Sequence, residues 1–583
     1  MAGRRGVGLV LFLIGTAVVV SAAGLALGWA IVGRQPSVPS NASLVLRVDN
    51  DLGEQEPTGV LSPFLERRPT LRSAIDALRR AKTDARITSL LILPSEAPAL
   101  WGKTQELRDA ILDFKSSRKP VVAFLEYGGD QEYYLATAAD RVFLLPTSTL
   151  DLKGLASYEL FLRGSLDRIG TLPDFIHVGD FKTAPNIWTE KGFTPAHREM
   201  AESLNNDLFD QLVRAIAAAR KKTPEEVRAL VDEGPFLPED ALRAGLIDGL
   251  VYQDQLDEQA KLGKGKLNPV ELGDYAGSAR RRGSGFGRRG RIALVLAVGT
   301  IMSGRSGRSA QGDVLGSQTL AEAIRKARDD DSIKAVVVRI DSPGGSTVAS
   351  DVIWRELMLT RAKKPVVASM SDVAASGGYY IAMPAHVIVA QPGTLTGSIG
   401  VLGGKFVMAG TLEKLGANVE GVAAGRHADI YSPLRPFSPE ERAKLESQME
   451  AFYDQFVEKV AEARRSTPER IDAIAQGRVW TGRQAKELGL VDELGGLSRA
   501  IAIARERAKL PAEGDIDLVV YPPRKSFYEM LADPLGQANE ARSAAAWGLL
   551  SPDERRVASA LLVPWRLLRR GEPLAIMPFV YWR

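Results

Sequence analysis

The chain has 583 residues, more than a single hydrophobic core organises, so two or more globular units are expected. Hydrophobic residues make up 45% and charged residues 25%, and a net charge of +4 is too small to call for a nucleic-acid partner. Cysteine is absent, which excludes disulfides, a thiol nucleophile and thiolate metal sites.

At the amino terminus Arg4 and Arg5 precede an uncharged stretch from Gly6 to Gly33, closed by Arg34. It is long enough to cross a bilayer as a helix and longer than the apolar region of most cleavable signals. Small residues around Ala22–Ala26 leave cleavage open, but a retained anchor over 1–36 is the favoured expectation. The two leading arginines place the amino terminus in the cytoplasm and the rest of the chain across the membrane.

The middle of the chain repeats itself. SRKPVVAFLEYGGDQEYYLATAADRVFLLPTSTL begins at Ser117, and AKKPVVASMSDVAASGGYYIAMPAHVIVAQPGTL begins at Ala362. Farther on, GFTPAHREMAE at Gly192 resembles PFSPEERAKLE at Pro436, and LPEDALRAGLIDGLV at Leu237 resembles WTGRQAKELGLVDEL at Trp480. The order and spacing hold throughout, so two related halves are predicted, over 43–276 and 292–511. Each alternates short β-branched runs with amphipathic stretches. In the second half these are IALVLAV, LAEAIRKARDD, IKAVVVRI, VASDVIWRELMLTR and PVVASM, a pattern of βα units on a mainly parallel sheet. Residues 277–291, rich in Gly and Arg, read as a basic linker. The extension 512–583 fits neither repeat. Within it Pro552–Arg570 reads as a helix capped by Ser551, and the final PLAIMPFVYW is apolar enough to pack on the body or touch a membrane.

Three segments carry candidate chemistry. Asp341-Ser-Pro-Gly-Gly-Ser346 follows an apolar strand and precedes a helix; a Gly-Gly pair there bares backbone N–H groups that suit an oxyanion or a phosphate, though an ordinary Pro-Gly turn fits the same residues. Ala374-Ala-Ser-Gly-Gly-Tyr-Tyr380 puts Ser376 at a strand-to-helix turn among residues too small to crowd it, as in a nucleophile elbow; a plain N-cap is the alternative. VGDFKTAPNIW offers Lys182 among apolar neighbours, where lost solvation would lower its pKa toward that of a general base; an ordinary surface lysine is the alternative. The four histidines, His177, His197, His386 and His427, show no zinc-binding spacing and read as surface or packing residues.

At these residues the chain resembles the signal peptide peptidases of the S49 serine protease family, in their long, two-repeat form. The likeness spans roughly Ser43 to Pro511 plus the anchor, and its most specific pieces are DSPGGS, SDVAASGGYYIA, GTLTGSIGV and GDFKTA. It implies a crotonase-like fold related to Clp protease, with Ser376 as nucleophile, Lys182 as general base and Ser398 holding the lysine amine. It further implies oxyanion donors at Gly345 and Gly377, with no metal or cofactor. The implied substrates are remnant signal peptides at a membrane, and the implied assembly is a homotetramer on the periplasmic side of the inner membrane.

The repeats add a comparison of their own. Tyr133 and Tyr379, 246 positions apart, align Ser376 with Asp130; the FTP and FSP segments, 244 apart, align Lys182 with Arg426. An arginine stays protonated and cannot serve as the base. Each half therefore offers one member of the dyad, and the expected site lies where the halves converge, within one chain or between neighbours. A crotonase-type acyl-CoA enzyme and a non-catalytic membrane scaffold are the rival expectations.

Overall fold

The computed structural model describes residues 15–16, 19, 38–48, 52–55, 69–95, 100–260, 268–279, 290–309, 312–511, 516–523, 573–578 and 581–582. Most of the expected anchor, most of the basic linker and the helix expected over Pro552–Arg570 lie outside the described residues. Among the described residues no helix is long and apolar enough to cross a membrane.

The first half runs β1 (Ala42–Val48), α1 (Leu71–Thr83), β2 (Ile87–Pro94), α2 (Trp101–Lys115), β3 (Val121–Leu125), α3 (Asp130–Ala136), β4 (Arg141–Leu144), β5 (Leu172–His177), α4 (Pro195–Arg220), β6 (Gly249–Leu250) and β7 (Pro269–Glu271). Its sheet has the order β7-β1-β2-β3-β4-β6, parallel throughout. The second half repeats the plan with β8 (Arg291–Val298), β9 (Thr300–Met302), α5 (Ser317–Asp329), β10 (Ile333–Ser342), β11 (Gly344–Ser346), α6 (Thr347–Arg361), β12 (Val366–Ala375), α7 (Gly377–Ala382), β13 (Val387–Ala390), β14 (Leu395–Gly397), β15 (Leu402–Val407), α8 (Pro439–Arg464), β16 (Val479–Thr481), β17 (Glu493–Leu494) and α9 (Leu497–Arg507). A further strand, β18 (Asp517–Tyr521), pairs with β8 as β7 pairs with β1. The repeat thus reaches into the extension that the sequence set apart from residue 512, because sheet position is set by pairing and not by local composition.

The strands read as unbroken apolar runs because both faces of each sheet are covered. Along β10, Val336, Val338 and Ile340 enter one core, while Ala335 and Val337 enter another on the opposite face. In β1 and β2, Leu44, Leu46, Leu90 and Ile92 face one way, and Val45, Leu91 and Leu93 the other. The helices carry their own start signals. Thr194 caps α4 and Ser438 caps α8, each followed by proline at the first helical position. Both helices are 26 residues long and end on a basic residue in left-handed conformation, Lys221 and Arg465.

A third sheet joins the halves. Its order is Gly307–Ser309, Gly312–Gly316, β9, β11, β19 (Leu574–Ile576), β15, β5. Here β5 of the first half runs antiparallel to β15 of the second, from Leu172↔Val407 to His177↔Leu402. The halves also meet through an apolar cluster, in which Met200 and Leu204 pack with Val373, Leu395 and Val479, and through buried polar contacts. Lys103, Gln105 and Glu106 of α2 are all buried against the second half. Arg339 Nη2 lies 2.7 Å from Glu106 and 2.7 Å from Glu54, and Gln105 accepts from Gly393 N at 2.6 Å. Burial pushes Glu106 up; it pushes Glu54 up as well, but Arg339 and Lys103 outweigh it and hold Glu54 below its ordinary range. One guanidinium therefore serves two carboxyls with opposite shifts.

Arg339→Met removes the cation and leaves both carboxyls buried. It is expected to cost about 3–5 kcal/mol in chemical denaturation, and adding Glu54→Gln and Glu106→Gln to the same chain should recover most of that loss.

Candidate active site

Strand β12 is buried along its whole length and carries small residues at its end, Ala374 and Ala375. The chain then reverses at Ser376, with φ 57° and ψ −113°, and enters α7. A non-glycine residue in that region is strained, and the surrounding structure must hold it. Part of the hold is the Ser376 N–H, which donates to Gly397 O at 2.7 Å. The hydroxyl makes no capping bond to α7, so the plain N-cap expectation fails. It is left facing Lys182.

Lys182 arrives from the other half, on the turn after β5. Phe181 N donates to Gln476 O at 2.9 Å, which ties that turn to the segment before β16. Gly477 makes the approach possible: at φ +79°, a Cβ there would stand 2.5 Å from Lys182 Cα. The Lys182 amine lies 2.8 Å from Ser376 Oγ, 3.0 Å from Ser398 O and 3.1 Å from Ser398 Oγ. Ser398 also has a left-handed backbone, φ 50°, and its N–H donates to Arg478 O at 2.7 Å. Lys182, Ser376 and Ser398 each have 0% exposure. Burial alone pushes the lysine well below its ordinary pKa.

Gly377 opens α7 directly after Ser376, and the Gly344-Gly345 turn packs against it. A Cβ on Gly344 would stand 2.8 Å from Gly377 N. The turn is anchored by Asp341, whose Oδ1 accepts from Val373 N at 3.2 Å and whose Oδ2 lies 3.1 Å from Lys103 Nζ. The structure therefore brings Ser376, Lys182, Ser398, Gly345 and Gly377 into one place. Sequence reasoning missed Lys103 and Gly477. Neither carries a signal of its own, since Lys103 sits on an ordinary-looking polar helix and Gly477 in a short loop.

The aligned positions in the other repeat are unlike. Asp130 accepts from Gly154 N at 3.1 Å, and burial pushes its carboxyl up to about 7. Arg426 is exposed and pairs with Glu440 at 2.8 Å. Among the described residues no group of three or more His, Asp or Glu is arranged to hold a metal ion.

A family model described as peptidase family S49 matches residues 113–266 and 358–511, one match in each half. The chain belongs to peptidase family S49. It is 37% identical over 446 residues to "Serine protease SPPA, chloroplastic" of Arabidopsis thaliana, covering 76% of this chain and 66% of that one. It is 36% identical to "Protease 4" of Salmonella typhi, covering 76% of this chain and 72% of that one. "Protease 4" of Haemophilus influenzae is 29% identical, with 81% and 80% covered. The paired matches of this S49 peptidase give the internal repeat a family meaning: each half resembles the S49 unit.

The lowered lysine makes a stability prediction. Between the depressed pKa and the ordinary one, the unfolded chain binds a proton that the folded chain does not, so stability rises with pH across that window. Lys182→Met removes this cost. Its melting temperature should rise, with a larger gain at pH 7 than at pH 9.5; an equal gain at both would mean the amine is not desolvated.

Proposed function

We propose that this chain is a membrane-anchored serine endopeptidase working through a Ser376–Lys182 dyad. Its substrates are remnant signal peptides and similar hydrophobic peptides after release from preproteins. The observation that carries the reading is the 2.8 Å contact between Lys182 Nζ and Ser376 Oγ, with the amine buried and its pKa lowered. The likeness to a serine protease of Arabidopsis and to the bacterial Protease 4 supports a serine protease activity. A crotonase-type acyl-CoA enzyme would have no use for a neutral lysine against a serine. The contact lies within one chain, which favours an intramolecular dyad over one shared between neighbours.

The chemistry follows from the protonation state. A neutral amine takes the Ser376 proton as Oγ attacks the peptide carbonyl. Backbone N–H groups of Gly345 and Gly377 stabilise the tetrahedral oxyanion. The lysine, now protonated, gives its proton to the leaving amine. Water then attacks the acyl-enzyme as the lysine accepts its proton, and the lysine returns that proton to Ser376 Oγ as the acyl–Oγ bond breaks and the acid product leaves. The two oxygens of Ser398 fix the amine so that it points at Ser376 throughout. The apolar stretch Gly6–Gly33 holds the catalytic halves at the periplasmic face of the inner membrane, where the family likeness leads us to expect a homotetramer.

Three outcomes test this reading. Ser376→Ala and Lys182→Ala are each expected to lower peptide turnover by at least roughly 10²- to 10⁴-fold while leaving the circular dichroism spectrum unchanged; near-normal turnover by either would sink the dyad. The rate in the native chain should rise with pH through the depressed lysine pKa and be lost at acid pH, as the amine charges. Gly477→Ala, which pushes a methyl into Lys182, should cost about 10²-fold in kcat, read by steady-state kinetics on the same peptide.

A further inference from the structure

Helices α4 and α8 have the same length and begin 244 positions apart, at Pro195 and Pro439. The short helices that follow them, Pro224–Glu233 and Pro468–Asp472, begin 244 positions apart as well. Residues on them can therefore be compared one to one. Tyr453 on α8 aligns with Phe209 on α4, and Asp472 aligns with Arg228. In the first half the pair is a cation on a ring, with the Arg228 guanidinium 5.1 Å from the Phe209 centroid. In the second half it is a hydroxyl on a carboxylate, with Tyr453 Oη donating to Asp472 Oδ1 at 2.5 Å. The polar pair occurs in the half whose next segment, 476–478, closes on Lys182.

The Tyr453 ring is buried in the core of the second half, which fixes where its hydroxyl sits. That hydroxyl has one proton and two lone pairs, and all three are used. The proton goes to Asp472. The lone pairs accept from Gln476 N at 3.2 Å and from Gln476 Nε2 at 3.1 Å. Gln476 Nε2 also donates to Asp472 Oδ1 at 2.6 Å. These bonds hold Gln476 in a left-handed backbone, φ 51°, that a residue with a side chain seldom adopts.

The segment so held reaches both sides of the base. Gln476 O accepts from Phe181 N, and Gly477 packs directly on Lys182. Gly477 N donates to Ile399 O at 2.8 Å, and Arg478 O accepts from Ser398 N. The Arg478 guanidinium lies 4.5 Å from the centroid of the Phe181 ring. A single turn thus carries backbone contacts to the lysine's own turn and to the serine that fixes its amine.

We propose that Tyr453 is a positioning residue of the dyad, acting through Asp472 and Gln476 to set residues 476–478, which hold Lys182 and Ser398 in place for Ser376. The proposal rests on the dyad reading above and deepens it: the enclosure of the base is set from α8, by a hydroxyl bonded to neither member of the dyad. Loss of that hydroxyl leaves Gln476 N without its acceptor and lets the turn relax. A misplacement on the order of 1 Å costs about 10²-fold in rate. Water admitted beside the amine returns the lysine toward its ordinary pKa.

The test uses the full chain and an internally quenched apolar peptide, with kcat, KM and the pH profile measured below the melting temperature of each variant. Tyr453→Phe removes the hydroxyl and keeps the ring. It is expected to lower kcat by about tenfold or more at nearly unchanged KM. The acid limb of its rate profile should move to higher pH, since a less enclosed amine keeps its proton longer. Asp472→Ala is expected to behave in the same way. Asp472→Asn keeps an oxygen for the tyrosine proton and should lie closer to the native chain. A tyrosine that only packs would lower the melting temperature and leave kcat and the acid limb in place; that result overturns the positioning role while the dyad stands. Equal kcat in Asp472→Ala and Asp472→Asn overturns it as well. Turnover that survives Ser376→Ala or Lys182→Ala overturns the dyad reading instead. Should Tyr453→Phe not fold, the two Asp472 variants decide the matter.

Discussion

A lysine amine enclosed by serine oxygens and apolar carbon cannot keep its proton at the pH where a free lysine does, because water no longer stabilises the charge. That desolvation is the constraint on which the rest of this structure depends. It requires complete enclosure, and no single repeat encloses Lys182. The amine comes from the first half, on the turn after β5, and its partners Ser376 and Ser398 come from the second. The closure is fixed by strained backbone: Ser376, Ser398 and Gln476 all have positive φ, at 57°, 50° and 51°, and all three border the lysine. Strain of this kind persists only where the surroundings over-determine it.

The junction between the halves supplies that over-determination. It combines apolar clusters with buried hydrogen bonds and ion pairs. Arg339 joins Glu54 and Glu106, Lys103 joins Asp341 and Asp372, and Arg483 joins Asp207 and Asp210. Buried pairs add little net stability against an apolar alternative, but they penalise every wrong docking that would leave a charge unpaired. Asp341 shows why this matters for the site. It begins the Gly-Gly turn, and its ion pair with Lys103 ties that turn to the first half. Positioning of the site and specificity of the junction are thus served by the same side chain.

The two related halves differ at the paired positions, where Asp130 and Arg426 align with Ser376 and Lys182. Asp130 has become a structural acceptor for Gly154, and Arg426 faces solvent. The strand β19 lies between β11 and β15 of the second half.

Much was legible before any fold was known. The apolar runs over 292–298 and 333–340 are strands because both faces of a covered parallel sheet are apolar. The repeats were readable by comparing one half with the other, and the candidate pair Ser376 and Lys182 chiefly through the family resemblance of the motifs around them. What the sequence could not determine is whatever depends on partners hundreds of positions away. Helix α2 is polar by composition yet buried, since its charges meet Arg339 and Asp372 of the other half. The final PLAIMPFVYW was apolar without an address until Leu574–Ile576 found β11 and β15. Motifs and the family resemblance marked a lysine and a serine; only the tertiary structure encloses them, and the loss of water around the amine is what lowers the lysine's pKa.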